Sequence, residues 1–138
     1  HAVLTLMELD TVIETNFKIV HPEMTLGEML HDSVAKSTRN IFPVVDVDHK
    51  FLGIILLDDI REFMFDTKLY ATTKVETFTH MAPDHIYYGE DSMQTVMQKF
   101  QDSGAWNLPV VKDGKYMGFV SKSKLLTAYR RELIRFTK

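Results

Sequence analysis

The sequence predicts an α+β fold built from two copies of one unit, each a small mixed sheet flanked by helices. Three observations carry this prediction. One pattern of residues occurs twice, and the predicted strands are apolar on both faces, so helices must cover them. Of the 138 residues, 45% are hydrophobic and 25% are charged, which is typical of a globular domain. The absence of cysteine excludes a disulfide scaffold and a thiolate zinc site.

The repeat is clearest around two Pro-Val-Val segments. The matching stretches are Phe42-Pro43-Val44-Val45 with Phe51-Leu52-Gly53-Ile54-Ile55, and Leu108-Pro109-Val110-Val111 with Tyr116-Met117-Gly118-Phe119-Val120. The offset is 66 residues from Pro43 to Pro109 and 65 residues from Gly53 to Gly118. The difference falls in the turn between the two strands, where a repeat tolerates a change of length.

The first elements along the chain are a helix and an extended segment. A leading amphipathic helix is predicted over residues 1–16, where apolar residues recur at helical spacing (Leu6, Leu9, Val12, Ile13). The extended segment Ile19-Val20 follows it and corresponds to Ile86-Tyr87 in the second copy.

Each copy continues with a helix whose start is marked by a capping residue. Thr25 is an N-cap candidate, and Glu28 three residues later suggests a capping box. Ser92 takes the same place in the second copy. Apolar residues then follow at helical spacing in both copies: Leu26, Met29, Leu30 and Val34 in the first, and Met93, Val96, Met97 and Phe100 in the second.

Two buried strands and a turn complete each copy. In the first copy, Phe42–Val45 and Phe51–Leu57 are predicted strands. In the second copy, Asp113-Gly114 lies between the two equivalent strands and is a strong hairpin signal. Tyr70–Thr79 is predicted as a linker. The predicted organisation is therefore a leading helix (1–16), a first domain (17–70), a linker (71–79) and a second domain (80–138) that ends in a basic helix.

The charge is unevenly distributed along the chain. The net charge is −3, yet residues 112–138 carry eight basic and two acidic side chains. The whole chain therefore lacks the basic footprint of a nucleic-acid-binding protein. The basic end is interpreted either as a solvated helix face or as an anion-attracting surface, which could touch anionic lipid or pack on a dimer mate. No apolar run approaches the roughly 20 residues needed to cross a bilayer, and no signal peptide is recognised.

The duplicated Pro-Val-Val, turn and Gly-apolar-apolar pattern resembles the cystathionine-β-synthase (CBS) domain pair, also called a Bateman module. The detailed sequences of Gly53–Glu62 and Gly104–Val111 resemble the cytoplasmic tail of bacterial chloride-channel-type transporters. The resemblance implies a pseudo-twofold pair of domains with two clefts that often bind adenosine nucleotides. It implies a regulatory module and no catalytic residues.

The family's ligand pattern is Gly, two apolar residues, Thr or Ser, two variable residues, then Asp. In the family the hydroxyl faces phosphate and the Asp holds the ribose hydroxyls. This sequence departs from the pattern in both copies: Leu56 replaces the hydroxyl while Asp59 is kept, and Ser121 is kept while Lys124 replaces the Asp. An ammonium group is a donor only, so Lys124 cannot accept from a ribose hydroxyl.

The resemblance also implies which residues line each cleft, because each cleft borrows residues from the opposite copy. The first candidate cleft comprises Asp59, Asp84, His85, Ile86 and Trp106. The second comprises Lys18, Ile19, Val20, Arg39, Phe42, Ser121 and Lys124. The first is the better candidate for adenosine recognition, with AMP, ADP or ATP as ligand. The second has three cations, which could suit a polyphosphate.

Each of these residues also has a purely structural interpretation. Asp59 and Ser121 could simply cap helices, and Trp106 could be a core residue rather than a stacking surface for adenine. His85 beside Asp84 could be an ordinary loop pair. The six histidines show no metal-ligand spacing, so no metal site is expected.

The predicted function is a non-catalytic regulatory module on the cytoplasmic side of a membrane transporter. It would sense an adenosine nucleotide, need no other cofactor, form a homodimer through the domain pair and contact the transmembrane domain of the same parent chain. The alternative is a dimerisation or assembly domain whose clefts are degenerate, as Leu56 and Lys124 suggest. An enzyme is disfavoured because no nucleophile and base are recognisable.

Overall fold

The computed structural model describes residues 2–5 and 7–137, which group into two compact units. The first-copy unit comprises residues 16–82 and 114–116. The second-copy unit takes its described residues from the ranges 1–15, 83–113 and 117–138. Each unit contains helices and a small sheet, so the predicted α+β class is confirmed.

The regular elements follow the predicted order. The helices are α1 (Ala2–Thr5), α2 (Leu26–Met29), α3 (Leu57–Ile60), α4 (Met93–Ser103) and α5 (Lys122–Thr137). The strands are β1 (Ile41–Val45), β2 (Phe51–Leu56), β3 (Ile86–Tyr87), β4 (Asn107–Lys112) and β5 (Lys115–Ser121). A π-helical turn, Leu30–Val34, continues α2, and short 3₁₀ turns occur at Leu9–Thr11, Thr67–Leu69 and Val75–Phe78.

The first-copy unit is built on the antiparallel pair β1–β2, in which Ile41 lies opposite Leu56. Val20 adds a parallel bridge to Val44. The capping box starts α2 as predicted: the Thr25 hydroxyl accepts from the Glu28 N–H at 3.2 Å, and the Glu28 carboxylate accepts from the Thr25 N–H at 3.0 Å. The core consists of fully buried side chains (Val20, Leu26, Met29, Phe42, Val44, Ile55, Ile60, Val75).

The second-copy unit contains the sheet β3-β4-β5, in which Ile86 pairs with Val110 in parallel. The turn between β4 and β5 has positive φ at both Asp113 (52°) and Gly114 (80°). That geometry fits the right-handed twist of a two-residue hairpin, and Asp-Gly tolerates it. Ser92 caps α4 by accepting from the Thr95 N–H at 3.1 Å. The predicted hairpin and N-cap are therefore confirmed.

The repeated glycines are explained by a close approach of backbone. A Cβ at Gly53 would lie 2.5 Å from the His80 carbonyl oxygen, because residue 80 pairs with Ile54 in the same unit. A Cβ at Gly118 would lie 2.6 Å from the Glu14 carbonyl oxygen, because residue 14 pairs with Phe119. Both copies thus require glycine because a short extended segment is hydrogen-bonded beside the last strand.

Two predicted segments differ from expectation. The leading helix is shorter than predicted: after α1 and the 3₁₀ turn, residues 12–16 are not helical, since Glu14 pairs with Phe119 instead. Leu6 lies outside the described residues. The segment expected to be a linker packs into the first-copy unit, where Val75 is fully buried and Thr73 accepts a hydrogen bond from the Leu26 N–H at 2.7 Å.

Candidate functional site

Asp59 lies in the first turn of α3, directly after β2, in the first-copy unit. Its Oδ2 atom accepts from the Leu56 N–H at 2.7 Å, so the carboxylate caps the helix start. Leu56 has no side-chain acceptor to complete a capping box. The Oδ1 atom makes no hydrogen bond to any of the described residues. The side chain is 30% exposed, so one carboxylate oxygen is free to accept from a ligand hydroxyl.

His80 is the residue that sequence analysis missed beside Asp59. Its Nε2 atom lies 2.9 Å from Asp59 Oδ2, and its Nδ1 atom lies 3.2 Å from the Met81 carbonyl oxygen. Both partners are acceptors, so both contacts are hydrogen bonds when each ring nitrogen carries a proton. The sequence signal for His80 was the repeat distance, because His80 follows Glu14 by 66 residues. The two residues are therefore equivalent, and each pairs with the last strand of its unit, β2 for His80 and β5 for Glu14.

Asp84, His85 and Ile86 lie just before and within β3, in the second-copy unit. The Asp84 carboxylate accepts from the His85 N–H at 2.7 Å. The Lys99 ammonium on α4 donates to the His85 carbonyl and to Asp91, both at 2.7 Å. Lys99 therefore fixes the backbone of this segment, a role that its sequence position did not suggest.

Burial lowers the pKa of the His85 imidazole below its ordinary value. The Asp84 carboxylate opposes this shift, while the positive charge of Lys99 adds to it. The neutral form of His85 is therefore favoured, and it can both donate and accept hydrogen bonds.

Trp106 is exposed, which contradicts its interpretation as a core residue. Its relative exposure is 73%, and it precedes β4 in the second-copy unit. The Lys122 ammonium lies 5.4 Å from the centre of its ring system, within cation–π range. An exposed indole held beside a cation can stack on an aromatic ligand that carries negative charge.

Ser121 and Lys124 belong to the start of α5 in the second-copy unit. Ser121 caps this helix, because its hydroxyl accepts from the Lys124 N–H at 3.0 Å. The predicted N-cap role is therefore confirmed. Lys124 lines a cavity of about 390 Å³ within this unit, together with Glu8, Arg131 and other residues.

The other residues of the second candidate cleft lie in the first-copy unit. Val20 and Phe42 are fully buried, and their side chains belong to the core, as that of Ile86 does in the other unit. Ile19 is half-buried, and Lys18 is exposed. Lys18 and Arg39 line one cavity together. Lys18 and Arg39 therefore remain the candidates whose side chains can meet a ligand.

Three further features of the described residues bear on function. No group of three or more His, Asp or Glu side chains within residues 2–5 and 7–137 could hold a metal ion. None of the helices in the same residues is long and apolar enough to span a bilayer. The Asp58 carboxylate beside Asp59 pairs with Arg61 at 2.8 Å and is highly exposed. Asp58 and Asp59 therefore have different partners.

A family model of the CBS domain matches residues 9–66 and 81–131. These two matches cover most of the chain, so the protein belongs to the CBS domain family. Because the model matches twice in succession, the chain is a tandem CBS domain pair. CBS domain pairs are in general regulatory modules that catalyse no reaction, and many of them bind nucleotides.

Solved structures with the same fold include three informative ones. CbpB in complex with c-di-AMP has 22% identity and a TM-score of 0.76, with 99% of this chain and 93% of that chain covered. A CBS domain protein from Streptococcus pneumoniae has 22% identity and a TM-score of 0.71, covering 94% and 91%. The CBS domain of a membrane protein from Sphaerobacter thermophilus has 18% identity and a TM-score of 0.73, covering 92% of each chain.

At these identities the structural likeness shows the fold alone. No curated protein sequence matches the chain.

Proposed function

We propose that this CBS domain pair senses an adenosine nucleotide, with AMP, ADP and ATP as candidate ligands. The observation that carries the proposal is the Asp59 carboxylate, which is held at the start of α3 and keeps one oxygen free of hydrogen bonds to the described residues. A carboxylate oxygen of this kind can accept from a ribose hydroxyl, in a charge-assisted hydrogen bond that is stronger than a neutral one.

Trp106 supports the proposal from the second-copy unit. Its exposed indole offers a stacking surface, and base–aromatic stacking is worth about 1–3 kcal/mol per base in nucleic-acid-binding proteins. The adjacent Lys122 ammonium favours a ligand that carries phosphate. The relative CbpB is described as a complex with c-di-AMP, so this dinucleotide belongs with the mononucleotides as a candidate ligand.

Calorimetric titration with adenosine, AMP, ADP, ATP and c-di-AMP tests the proposal. Trp106 is the sole tryptophan, so its fluorescence gives a second, independent readout. We expect Asp59→Asn to weaken binding of the recognised nucleotide by about tenfold, since a hydrogen bond to a charged group is worth roughly 1.5 kcal/mol or more.

Asp58→Asn is the matched control, because it removes the adjacent, exposed carboxylate and should leave the affinity unchanged. An absence of heat and of fluorescence change at millimolar ligand would remove the sensing proposal.

We further propose that the parent protein is a chloride-channel-type transporter, with this module on the cytoplasmic side of the membrane. The support is the resemblance of the sequences of Gly53–Glu62 and Gly104–Val111 to the cytoplasmic tail of such transporters. The test is the sequence of the parent gene, in which this module should follow a set of membrane-spanning helices. A parent without such helices would overturn the assignment.

An assembly domain is the second candidate function. Leu56 and Lys124 break the nucleotide pattern of the family in both copies. In addition, the outer part of α5 exposes large apolar side chains (Leu126 40%, Leu133 37%, Ile134 53%, Phe136 54%). An exposed apolar cluster of this kind commonly marks an interaction surface, and a second copy of the chain is the partner we propose.

A further inference from the structure

We propose that His80 makes the ligand preference of the Asp59 site depend on protons, because a protonated His80 neutralises the Asp59 carboxylate and a neutral His80 leaves it an anion. The proposal rests on the nucleotide site proposed at Asp59 and concerns the regulation of that site. His80 is not part of the ligand pattern of the family. It is a positioning residue, since it acts on the ligand through Asp59.

The two charged groups are in direct contact within the first-copy unit. His80 Nε2 lies 2.9 Å from Asp59 Oδ2, and the side chains are 44% and 30% exposed, so solvent protons reach the pair. The Nδ1 atom of the same ring lies 3.2 Å from the Met81 carbonyl oxygen. A neutral imidazole carries one N–H and donates to one of these acceptors, whereas the protonated ring donates to both. Proton uptake therefore adds a hydrogen bond and a positive charge at the same place.

The charged groups around His80 come from the elements that adjoin it. The strand β2, with which residue 80 pairs, has no charged residue. At α3, the Asp58 carboxylate pairs with Arg61 at 2.8 Å, which leaves Asp59 as the carboxylate in contact with His80. The charge of His80 therefore decides whether Asp59 meets a ligand as part of a neutral pair or as an anion. The other charged residues of the adjoining segments are Arg39 before β1, Glu62 after α3, and Lys74 and Glu76 at the 3₁₀ turn.

This charge matters for phosphate because the first copy has no hydroxyl to receive it. Leu56 lies where the family has Thr or Ser. A phosphate near an anionic Asp59 is repelled, and the repulsion decreases when His80 takes up a proton. An uncharged nucleoside makes the same ribose contact with Asp59 without this repulsion. The site should therefore favour phosphate-bearing nucleotides at low pH and lose that preference as the pH rises.

The test is calorimetric titration at about pH 6 and about pH 8, an interval in which histidine side chains change charge. The probes are adenosine, AMP, ADP, ATP and c-di-AMP, at constant ionic strength. For each phosphate-bearing nucleotide that binds, the unmutated protein should lose about three- to fivefold more affinity between the two pH values than His80→Gln, the size of a partly exposed charge interaction. Adenosine should show no such difference between the two proteins. The phosphate groups and His85 titrate in both proteins, so the difference isolates His80.

Two further variants complete the experiment. His80→Lys keeps a cation beside Asp59 at both pH values, so it should lose no more affinity than His80→Gln does. His31→Gln removes a highly exposed histidine from the π-helical turn of the same unit and should keep the pH dependence of the unmutated protein.

The outcomes separate this proposal from the nucleotide site on which it rests. The same pH dependence in the unmutated protein and in His80→Gln would overturn the role of His80 and leave the nucleotide site intact. An absence of binding by every probe at both pH values would overturn the nucleotide site and the role of His80 with it.

Discussion

A methyl group at Gly53 has no space, although the residue lies in an ordinary strand. The His80 carbonyl oxygen would lie 2.5 Å from the new carbon, and the Thr79 side chain would lie 2.9 Å from it. Backbone atoms cannot move aside as a flexible side chain can, so the hydrogen-bonded pair of Ile54 and His80 would have to separate.

Gly53→Ala is therefore expected to destabilise the protein by about 1–3 kcal/mol, the usual cost of overpacking. Leu52→Ala is the matched control, since Leu52 lies next to Gly53 on the exposed face of β2 and should cost less. Urea unfolding at equilibrium measures both variants. Equal midpoints for Gly53→Ala and the parent protein would show that residues 79–80 do not lie against Gly53.

Protonation of His85 links stability to pH. Burial lowers the pKa of its imidazole in the folded state, whereas the unfolded chain keeps the ordinary value near 6.5. As the pH falls through about 6.5, the unfolded chain takes up the proton first, and the free energy of unfolding decreases. His85→Gln should therefore lose less stability than the parent between about pH 7.5 and 5.5.

The control for this prediction is Thr77→Ala, an exposed change that removes no titratable group. It should leave the pH dependence of the urea midpoint close to that of the parent. The same slope in His85→Gln and the parent protein would refute the role of His85.

Local chemistry at single residues was predictable, whereas contacts between distant residues were not. Thr25 with Glu28, Ser92 and Ser121 were recognised as caps because each contact spans only three residues. The contact of His80 with Asp59 spans 21 residues and depends on how the segment after Phe78 turns back. The exposure of Trp106 likewise depends on packing around it, which hydrophobicity alone does not reveal.

At the scale of elements, the segment 71–79 shows the largest difference from expectation. Its threonines favoured a linker, yet Val75 is fully buried in the first-copy core. Its backbone is fixed as well, because the Val75 N–H donates to the Met24 carbonyl at 2.8 Å. One buried side chain and a few backbone hydrogen bonds leave too weak a pattern in the sequence.

Val75→Ala tests whether this segment is part of the unit. Loss of buried methyl groups from a packed core should destabilise the protein by about 2 kcal/mol. Thr77→Ala, an exposed change in the same 3₁₀ turn, should have little effect. Both are measured by urea unfolding, and an unchanged midpoint for Val75→Ala would restore the interpretation as a linker.

The two copies also differ at equivalent elements. His80 contacts Asp59 at the start of α3 in one unit, and Glu14 lies 3.5 Å from the Ser121 hydroxyl at the start of α5 in the other. Residues 80 and 14 are equivalent by the repeat offset, and so are Asp59 and Lys124. The basic and acidic positions are thus exchanged between the copies.

For the whole molecule, the repeat was the most reliable signal in the sequence. A tandem pair was predicted from Pro43 and Pro109 with Gly53 and Gly118, and the family match confirms it. The ligand, the parent protein and the oligomeric state could not be derived in this way. Ligand binding and oligomerisation depend on surface residues such as Trp106 and Ile134, whose identity is not dictated by the fold.

The proposed homodimer can be tested by sedimentation velocity. We expect a dimer at tens of micromolar that dissociates in Ile134→Asp, because burying a new carboxylate in an apolar interface is costly. Gln101→Asp places the same charge on an exposed position of α4 and should leave the dimer intact. A parent protein that sediments as a monomer would contradict the assembly function.

Residue 14 adds a backbone pairing to the last strand of the second-copy unit, and residue 80 adds the equivalent pairing in the first-copy unit. The segment around residue 14 precedes the first copy in the chain but pairs within the second-copy unit. The segment around residue 80 precedes the second copy but pairs within the first-copy unit. A gene cut after residue 82 cannot yield two intact products, because the second piece would lose residue 14 and with it the backbone pairing that covers Gly118.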